Sequence, residues 1–209
     1  MISKESSYVL GKNIESFLIE KLKKAKNRVI VASPWISYKY AKLLSEIQEK
    51  VPVKIYTSSD FSQFHIRALR SLIEEKKEVI APANKRNIAI GIIIFLLSIV
   101  LICFVNLYAG IVGILSSIVL ITISKGKYVI HYIPLVSLLR IYPPEFHVKL
   151  YIVDDTVYIG SANLTNSGMK NNYEVLVAIK DKALADALDE LLENTDLPLY
   201  EIADFVRRK

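Results

Sequence analysis

Apolar and polar positions in the first part of the chain follow two alternating patterns. Short runs that are continuously apolar predict buried strands, and longer runs with apolar residues three or four apart predict helices. The predicted elements are a helix at 12–26, a strand at 28–33, a helix at 38–50, a strand at 53–57, a helix at 60–75 and a strand that begins at 78. This order of strands and helices predicts an α/β fold with parallel strand pairing.

The same patterns return after residue 125. The predicted elements there are extended segments at 127–133 and 138–142, a hairpin at 147–163, a strand at 173–179 and an amphipathic helix at 181–194. We therefore expect a mixed, largely parallel sheet flanked by helices. Residues 1–86 and 125–209 should form it together as one discontinuous domain.

The intervening segment is apolar throughout. No Asp, Glu, Lys or Arg occurs from Asn87 to Ser124. A single helix of that length would be roughly 57 Å long, about twice the hydrocarbon thickness of a bilayer. Two spans fit better, because the residues at Asn106–Gly110 suit a turn at the membrane interface. We therefore predict that 87–124 form a transmembrane helical hairpin, with legs at Ile88–Val105 and Gly110–Ile123.

Basic residues flank this segment on both sides. Lys85–Arg86 precede the first leg, and Lys125 and Lys127 follow the second, whereas the turn between the legs carries no charge. The positive-inside rule then predicts a membrane protein with two spans through 88–123, and with its catalytic domain and both termini in the cytoplasm. Two alternatives stay open: a helix pair buried in a soluble core, and a hydrophobic oligomerisation arm.

Composition narrows the choice of partner only in part. The chain has 209 residues and a formal net charge of +6, which suits an anionic partner such as nucleic acid or phospholipid headgroups. Its polar N-terminus does not have the pattern of a signal peptide. Cys103 is the single cysteine and lies in the apolar segment, so the sequence has no disulfide framework.

The most informative residues lie in the predicted hairpin. His147 and Lys149 are two apart, so on a strand both would point to one face, with Val148 on the other. Asp154 begins a turn signal, and the return strand continues to Ser161 and Asn163, again two apart. The hairpin can therefore bring these two polar side chains back towards His147 and Lys149.

The spacing H-x-K-x-x-x-x-D, followed by G-S-x-N, resembles the HKD motif of the phospholipase D superfamily. Glu174 adds to the resemblance, because members of that superfamily place a glutamate in this region. The resemblance is strongest over 140–180 and implies a phospholipase D-like α/β fold. It also implies that Asp154 supports the site without touching phosphate.

These residues suit the cleavage of a phosphodiester through a covalent intermediate. A neutral imidazole at His147 can attack phosphorus, and Lys149 can place positive charge on the non-bridging oxygens. Ser161 and Asn163 can donate hydrogen bonds to the same phosphate. We expect Glu174 to bond the second imidazole nitrogen of His147 and so fix its tautomer. This chemistry needs no cofactor, and no cluster of residues has the spacing of metal ligands.

The superfamily uses two motifs, in which one histidine attacks and the other protonates the leaving group. This sequence has one, because His65 and His131 lack the rest of the pattern and read as ordinary histidines. We therefore predict a homodimer in which two His147 rings face each other across a twofold axis. In this respect the chain resembles single-motif members, small bacterial endonucleases and piRNA-linked mitochondrial nucleases, which act as dimers.

Together these features predict a membrane-anchored, metal-independent phosphodiesterase, a nuclease that cleaves DNA or RNA. One alternative is a phospholipase D or phosphatidyltransferase that acts on membrane phospholipid. Another is a binding module that keeps the site as a phosphate pocket, and the simplest is that His147 and Lys149 are merely exposed on a sheet face. Residues after the first two strands, among them Trp35, Ser37 and Ser58–Ser59, can also line a ligand crevice.

Overall fold

The computed structural model describes residues 6–60 and 62–203. Within these, the residues up to 74 and from 132 onward form one compact unit, and 75–131 form a second. The polar N-terminal residues 1–5 lie outside the described residues. The second unit contains the predicted hairpin together with most of the two strands that lead into it.

Nine strands and six helices make up the described chain. In chain order they are β1 (Ser6–Gly11), α1 (Glu15–Lys23), β2 (Val29–Ala32), α2 (Tyr38–Gln48), β3 (Val53–Ser58), α3 (Gln63–Arg70), β4 (Ile73–Ala81), α4 (Lys85–Phe104), α5 (Leu107–Ile123), β5 (Lys127–Pro134), β6 (Leu138–Tyr142), β7 (Leu150–Val153), β8 (Thr156–Gly160), β9 (Glu174–Lys180) and α6 (Lys182–Glu193). A short π-helical turn at Ser167–Asn171 lies between β8 and β9.

Seven strands form one mixed sheet in the order β1-β9-β8-β7-β2-β3-β6. The predicted parallel pairing is present where β3 lies between β2 and β6. β7 pairs antiparallel with β2, and β8, β9 and β1 continue the sheet in antiparallel register. The expected mixed α/β fold, with helices flanking the sheet, is confirmed. The sheet is not largely parallel, however, because four of its six strand pairings are antiparallel.

The third predicted strand does not join this sheet, and β6 occupies the position expected for it. The reason is charge. β4 carries the run from Glu74 to Glu78, which is exposed along its length, whereas Leu139 and Ile141 of β6 are buried. β6 is the last strand of the described sheet, but it has buried residues on both of its faces, and a strand covered in this way cannot carry such a charged run. β4 instead pairs with β5 in a separate two-stranded sheet.

The core of the first unit lies on both faces of the sheet. Every residue of β2 is buried. On one face α1, α2 and α3 contribute Leu18, Leu44 and Leu69, all with no exposed surface. On the other face α6 packs Leu192 near Ile152. Full burial of each such side chain stabilises the fold by roughly 1.5–3 kcal/mol.

Helices α4 and α5 make up most of the second unit. α4 has 20 residues and is long and apolar enough to cross a membrane, whereas α5, with 17, is shorter. The side chain of Asn106 accepts a hydrogen bond from the backbone N–H of Ala109 at 3.1 Å and caps α5. The turn is therefore shorter than predicted, and the second helix begins at Leu107 instead of Gly110.

Small residues lie where α4 and α5 meet. Gly91 and Ser98 of α4 and Gly110 and Ser117 of α5 are the buried residues of the two helices. A Cβ atom on Gly110 would lie 2.2 Å from a carbon of Ile102, so only glycine allows this approach. Large apolar side chains point away from the contact, in the arrangement typical of helices packed in lipid.

Candidate active site

The predicted site lies at one end of the strands of the main sheet. We call this end the sheet edge, and it is distinct from the edge strand β1. Ala32 at the end of β2 is opposite Leu150 at the start of β7, and Leu150 is opposite Ile159 near the end of β8. The start of β9 lies at the same edge, because Leu176 is opposite Gly160. The segments 147–149 and 161–163 and the first residue of β9 therefore meet there.

His147 and Lys149 precede the strand that was predicted to hold them. β7 begins at Leu150, and the chain before it is irregular. Buried Phe146, whose ring centroid lies 4.9 Å from that of Tyr142, anchors this approach to the strand. Because no strand forms here, Val148 is 40% exposed and does not face the core, contrary to the predicted alternation.

His147 is exposed at the sheet edge and contacts one aromatic residue. Its ring stands edge-on to that of Trp35, with the centroids 6.1 Å apart and the planes at 76°. Trp35 follows β2, so the crevice position predicted for it does reach the catalytic motif. This contact restricts the orientation of the imidazole while leaving His147 accessible.

Lys149 lies beside His147 and is partly buried. Its Nζ donates a hydrogen bond to the backbone oxygen of His147 at 2.8 Å. Burial lowers the pKa of Lys149 from its ordinary value, and the negative charge of Glu174 opposes that shift. An anion bound at this ammonium would favour its protonated form, so Lys149 is suited to hold a phosphate.

Glu174 opens β9 and is buried, with both carboxylate oxygens occupied. Ser161 Oγ donates to Oε2, and Asn172 Nδ2 donates to Oε1 at 3.2 Å. The partners seen for this carboxylate are therefore Ser161 and Asn172, and the bond from Glu174 to His147 stays a prediction.

Ser161 lies directly after β8 and is hydrogen-bonded to Glu174. Its Oγ accepts a hydrogen bond from the backbone N–H of Val175 at 3.1 Å while it donates to the carboxylate. A hydroxyl has one proton to donate. Ser161 therefore orients Glu174 here, and it could donate to a phosphate, as predicted, only if its hydroxyl rotated away.

Asn163 lies in the loop after β8 and borders a cavity of about 390 Å³. Its Oδ1 is buried and has no hydrogen-bond partner among the described residues. The loop holds the backbone firmly, since the Thr165 N–H donates to the Asn163 oxygen at 2.7 Å. Oδ1 is an acceptor, so a phosphate in this cavity would be bound by the Nδ2 group of the same amide.

Asp154 does not belong to this group of residues. It lies at the other end of β7 with φ of 55°, a left-handed conformation that aspartate tolerates. Its carboxylate accepts from the backbone N–H groups of Lys26 at 3.0 Å, Asn27 at 2.7 Å and Arg28 at 3.3 Å. Asp154 therefore fixes the loop before β2, in agreement with a supporting role and not with a catalytic one.

The other two histidines have ordinary structural positions, as predicted. His65 is fully buried, accepts from the Ile36 N–H at Nδ1 and faces the Ser58 oxygen at 3.1 Å through Nε2. Burial lowers its pKa, which favours the neutral ring. His131 lies on β5 and pairs with Glu78 at 2.8 Å. Of the three imidazoles, that of His147 is the one exposed at the site.

A second cavity, of about 440 Å³, lies on the other side of His147 and Lys149. Its wall is formed by the apolar side chains of Val148 and Ile159 and by Leu188 and Leu191 of α6. The amphipathic pattern at 181–194 did not predict this cavity. Sequence reasoning also missed Asn172, whose only signal was its position two residues before Glu174.

Two comparisons with known sequences agree with the motif. A family model described as "Cardiolipin synthase, PLD-like domain" matches residues 121–195. Cardiolipin synthase A of Pseudomonas entomophila is 38% identical over 60 residues, which is 28% of this chain and 12% of that protein. Cardiolipin synthase A of Pseudomonas aeruginosa is 39% identical over 59 residues, with the same shares. The likeness thus covers a small part of these relatives.

Solved structures extend the likeness to nearly the whole chain. NucT from Helicobacter pylori has a TM-score of 0.53 at 14% identity, covering 95% of this chain and 100% of that one. Nuc from Salmonella typhimurium, a phospholipase D family member, has a TM-score of 0.52 at 18% identity, covering 94% and 99%. At such identities these structures show a shared fold.

The matched family segment contains every position of the motif, from His147 to Glu174. The fold brings all of these positions except Asp154 to one edge of the sheet. Residues 121–195 thus match a PLD-like domain in sequence, and the fold resembles that of Nuc, a phospholipase D family member.

Proposed function

We propose that this chain is a metal-independent phosphodiesterase that works through a phosphohistidine at His147, and that its substrate is DNA or RNA. The observation that supports this most directly is that the exposed imidazole of His147 lies beside the ammonium of Lys149, with Asn163, whose Nδ2 can donate a hydrogen bond, at the same sheet edge. A nucleophile, a positive charge and a hydrogen-bond donor at one edge are what phosphodiester displacement needs.

The reaction proceeds in two displacements. A ring nitrogen of His147 attacks phosphorus, a P–N bond forms, and the bond to the leaving oxygen breaks as that oxygen receives a proton. Water then attacks the phosphohistidine, and the P–N bond breaks as a base accepts the proton of the water. Lys149 and Asn163 hold the non-bridging oxygens in both steps. The Ser161–Glu174 pair supplies negative charge nearby, which favours the cationic phosphorylated ring.

The proton for the leaving oxygen comes from a second copy of the chain in this proposal. A general acid is required, and within the described sheet edge the exposed imidazole is that of His147 alone. A twofold axis beside the site would bring the partner's His147 to the opposite side of the phosphate. A homodimer with paired sites is therefore the proposed active form.

Nucleic acid is favoured over lipid because the chain matches nearly the whole length of NucT and Nuc but a small part of the cardiolipin synthases. The likeness to NucT and Nuc covers at least 99% of those chains, whereas the likeness to the cardiolipin synthases covers 12%. A complete single-motif domain fits the small nucleases that the motif resembles. The formal net charge of +6 suits a polyanionic substrate.

Phospholipid is the second candidate, and the apolar cavity beside the motif favours it. This cavity of about 440 Å³ adjoins both His147 and Lys149, so an acyl chain or glycerol backbone could lie in it while the phosphate meets the catalytic pair. The curated relatives are cardiolipin synthases. A phospholipase D or phosphatidyltransferase would use the same two displacements, with an alcohol replacing water in the transferase.

The hairpin of α4 and α5 anchors the enzyme in a membrane in this proposal, with both ends in the cytoplasm. Three observations favour this anchor: the apolar length of α4, the small residues between the two helices and the basic residues that flank them. α5 is 17 residues long, slightly short of the roughly 20 that span a bilayer. Carbonate extraction of membranes tests the anchor, because a protein released to the supernatant would contradict it.

A parallel substrate assay tests the proposed activity. Purified full-length protein in EDTA is incubated with labelled single-stranded and duplex nucleic acid and, separately, with phosphatidylglycerol vesicles, and His147→Ala serves as the control. The proposal expects nucleic acid cleavage that His147→Ala abolishes. Conversion of lipid alone would favour the second candidate. Binding of nucleic acid without turnover of either substrate would indicate a phosphate-binding module.

A further inference from the structure

A continuous groove leads away from Asn163 across the starts of α2 and α3. The cavity of about 390 Å³ beside Asn163 and a neighbouring one of about 620 Å³ share Ser37, Phe64 and Asn166 in their walls. The two cavities therefore adjoin each other. Together we call them the aromatic groove, whose walls include the rings of Trp35, Tyr38 and Phe64 and the charged side chains of Lys39 and Arg67.

Aromatic rings line this groove and are accessible from it. Phe64 is 51% exposed and Tyr38 is 44% exposed, while Trp35 reaches from the groove to the ring of His147. Exposed aromatic side chains next to a catalytic motif can stack with planar ligands. Stacking of a nucleobase on such a ring contributes about 1–3 kcal/mol, and every base has a face to offer.

The charge of the groove suits a phosphate backbone. No aspartate or glutamate is among its lining residues in the described chain. The Arg67 guanidinium lies over the Tyr38 ring, 5.0 Å from its centroid. Stacked in this way, Arg67 combines a positive charge with an aromatic face, the combination found where single strands bind. Lys39 differs, since it pairs with Glu15.

Hydrogen bonds hold the two walls of the groove together. The Ser37 N–H donates to the Leu164 oxygen at 3.0 Å, and Ser37 Oγ accepts from the Asn166 N–H at 3.1 Å. From below, His65 accepts from the Ile36 N–H at 3.2 Å. The groove is therefore formed before any ligand binds, which lowers the entropy lost on binding.

We propose that the aromatic groove binds an unpaired strand of nucleic acid, with bases stacked on Phe64 and Tyr38 and backbone phosphate at Arg67. The strand then delivers its scissile phosphate to His147 past Asn163. In a duplex the base faces are covered by their neighbours, so duplex cannot use these rings. The inference rests on the proposed nuclease function and narrows its substrate to single strands.

Binding measurements on variants test this directly. Phe64→Ala and Tyr38→Ala are each made in a His147→Asn background, which prevents cleavage during the measurement. Fluorescence anisotropy with a labelled 20-nucleotide single strand and with the matching duplex gives the two affinities. Each alanine variant should weaken single-strand binding about 5- to 150-fold, which corresponds to the loss of one stacked base.

Matched variants guard against misfolding. Tyr8→Ala removes an exposed aromatic from the edge strand β1, away from the groove, and should leave single-strand affinity unchanged. Phe64→Trp keeps a stacking surface and should restore the affinity that Phe64→Ala loses. Single-strand affinities of Phe64→Ala and Tyr38→Ala equal to that of Tyr8→Ala would overturn the inference, as would equal losses for duplex and single strand.

A small diester separates this inference from the proposed function. Bis(p-nitrophenyl) phosphate has no bases and tests the catalytic pair alone, with wild type compared to His147→Ala. If wild type hydrolyses this diester but the groove variants bind single strands normally, the proposed role of the groove is wrong and the proposed phosphodiesterase function stands. If the groove variants lose single-strand binding but wild type hydrolyses no diester, the proposed phosphodiesterase function is wrong and the proposed role of the groove stands.

Discussion

The two units of this molecule bury opposite kinds of residue. The α/β unit encloses Leu18, Leu44 and Ile152 and leaves charged residues outside. The helical hairpin encloses glycine and serine, and it exposes Leu97 and most of its other large apolar side chains. Water explains the first arrangement, since burial of apolar surface drives folding there. The second is stable in lipid, where close packing of small residues takes over that role.

The difference between the two units also indicates which of them holds the candidate site. The candidate site residues all lie in the α/β unit, whereas the hairpin has no charged side chain between Asn87 and Ser124. In the proposed function the α/β unit therefore carries the activity, and the hairpin provides the membrane anchor. Substitutions of the same type in the two units should have different consequences.

The largest difference should come from the two exposed histidines. His147→Ala at the sheet edge removes the nucleophile and should reduce phosphodiester cleavage by about 10³-fold or more. His131→Ala on β5, which lies outside the site, should leave the rate of cleavage unchanged. Initial rates on a labelled oligonucleotide measure both, and comparable losses would remove the distinction between the two positions.

Truncation of the α/β core should destabilise the protein strongly. Leu44→Ala removes a fully buried side chain and should lower the free energy of unfolding by about 2–5 kcal/mol. Leu97→Ala, on the outer face of α4, should cost far less, because its side chain is 59% exposed and leaves no internal cavity. Thermal unfolding in detergent compares them, and equal shifts in Tm would contradict the different packing.

A new charge should have the opposite pattern of effects, because it should harm the hairpin more than the α/β unit. Leu97→Lys places an ammonium in the middle of the apolar segment and should disfavour insertion by about 2.5–3.5 kcal/mol. Leu10→Lys, at a 67% exposed position of β1, should change neither insertion nor stability measurably. Membrane fractionation measures insertion, and a membrane-bound fraction of Leu97→Lys equal to that of wild type would contradict a span through this position.

The smallest predicted effect concerns the pH dependence of the site. The lowered pKa of Lys149 means that its ammonium loses a proton at lower pH than an ordinary lysine. Activity should therefore fall on the alkaline side as pH rises through that pKa. Lys149→Arg keeps its charge at all accessible pH values and should shift this decline upward. An unchanged alkaline limb in Lys149→Arg would assign the decline to another group.

Local patterns in the sequence predicted much of this molecule. The strands β2 and β3 and the helix α6 follow from runs of apolar residues. The spacing of His147, Lys149, Ser161 and Asn163, together with the resemblance to the HKD motif that added Glu174, indicated the site residues. These features depend on neighbours in the chain. The edge strand β1 was missed because its alternation is weak and most of its residues are exposed.

Features that depend on distant contacts could not be predicted. The start of β7 at Leu150 depends on its pairing with β2 and β8, so the strand expected through His147 does not form. The bonds from Ser161 and Asn172 to Glu174 depend on how β8 and β9 pair, which residue spacing does not reveal. The aromatic groove likewise arises from segments around residues 35, 64 and 166 that only the fold brings together.

The central claim is that the imidazole of His147 forms a covalent bond to phosphorus, and trapping that intermediate tests it most directly. Wild type and His147→Ala are mixed with a labelled oligonucleotide, quenched in alkali within milliseconds to seconds, digested and analysed by mass spectrometry. We predict an alkali-stable, acid-labile phosphoryl adduct on the peptide that contains His147, absent from His147→Ala. Cleavage by His147→Ala at the wild-type rate, with no adduct on that peptide in wild type, would contradict the account.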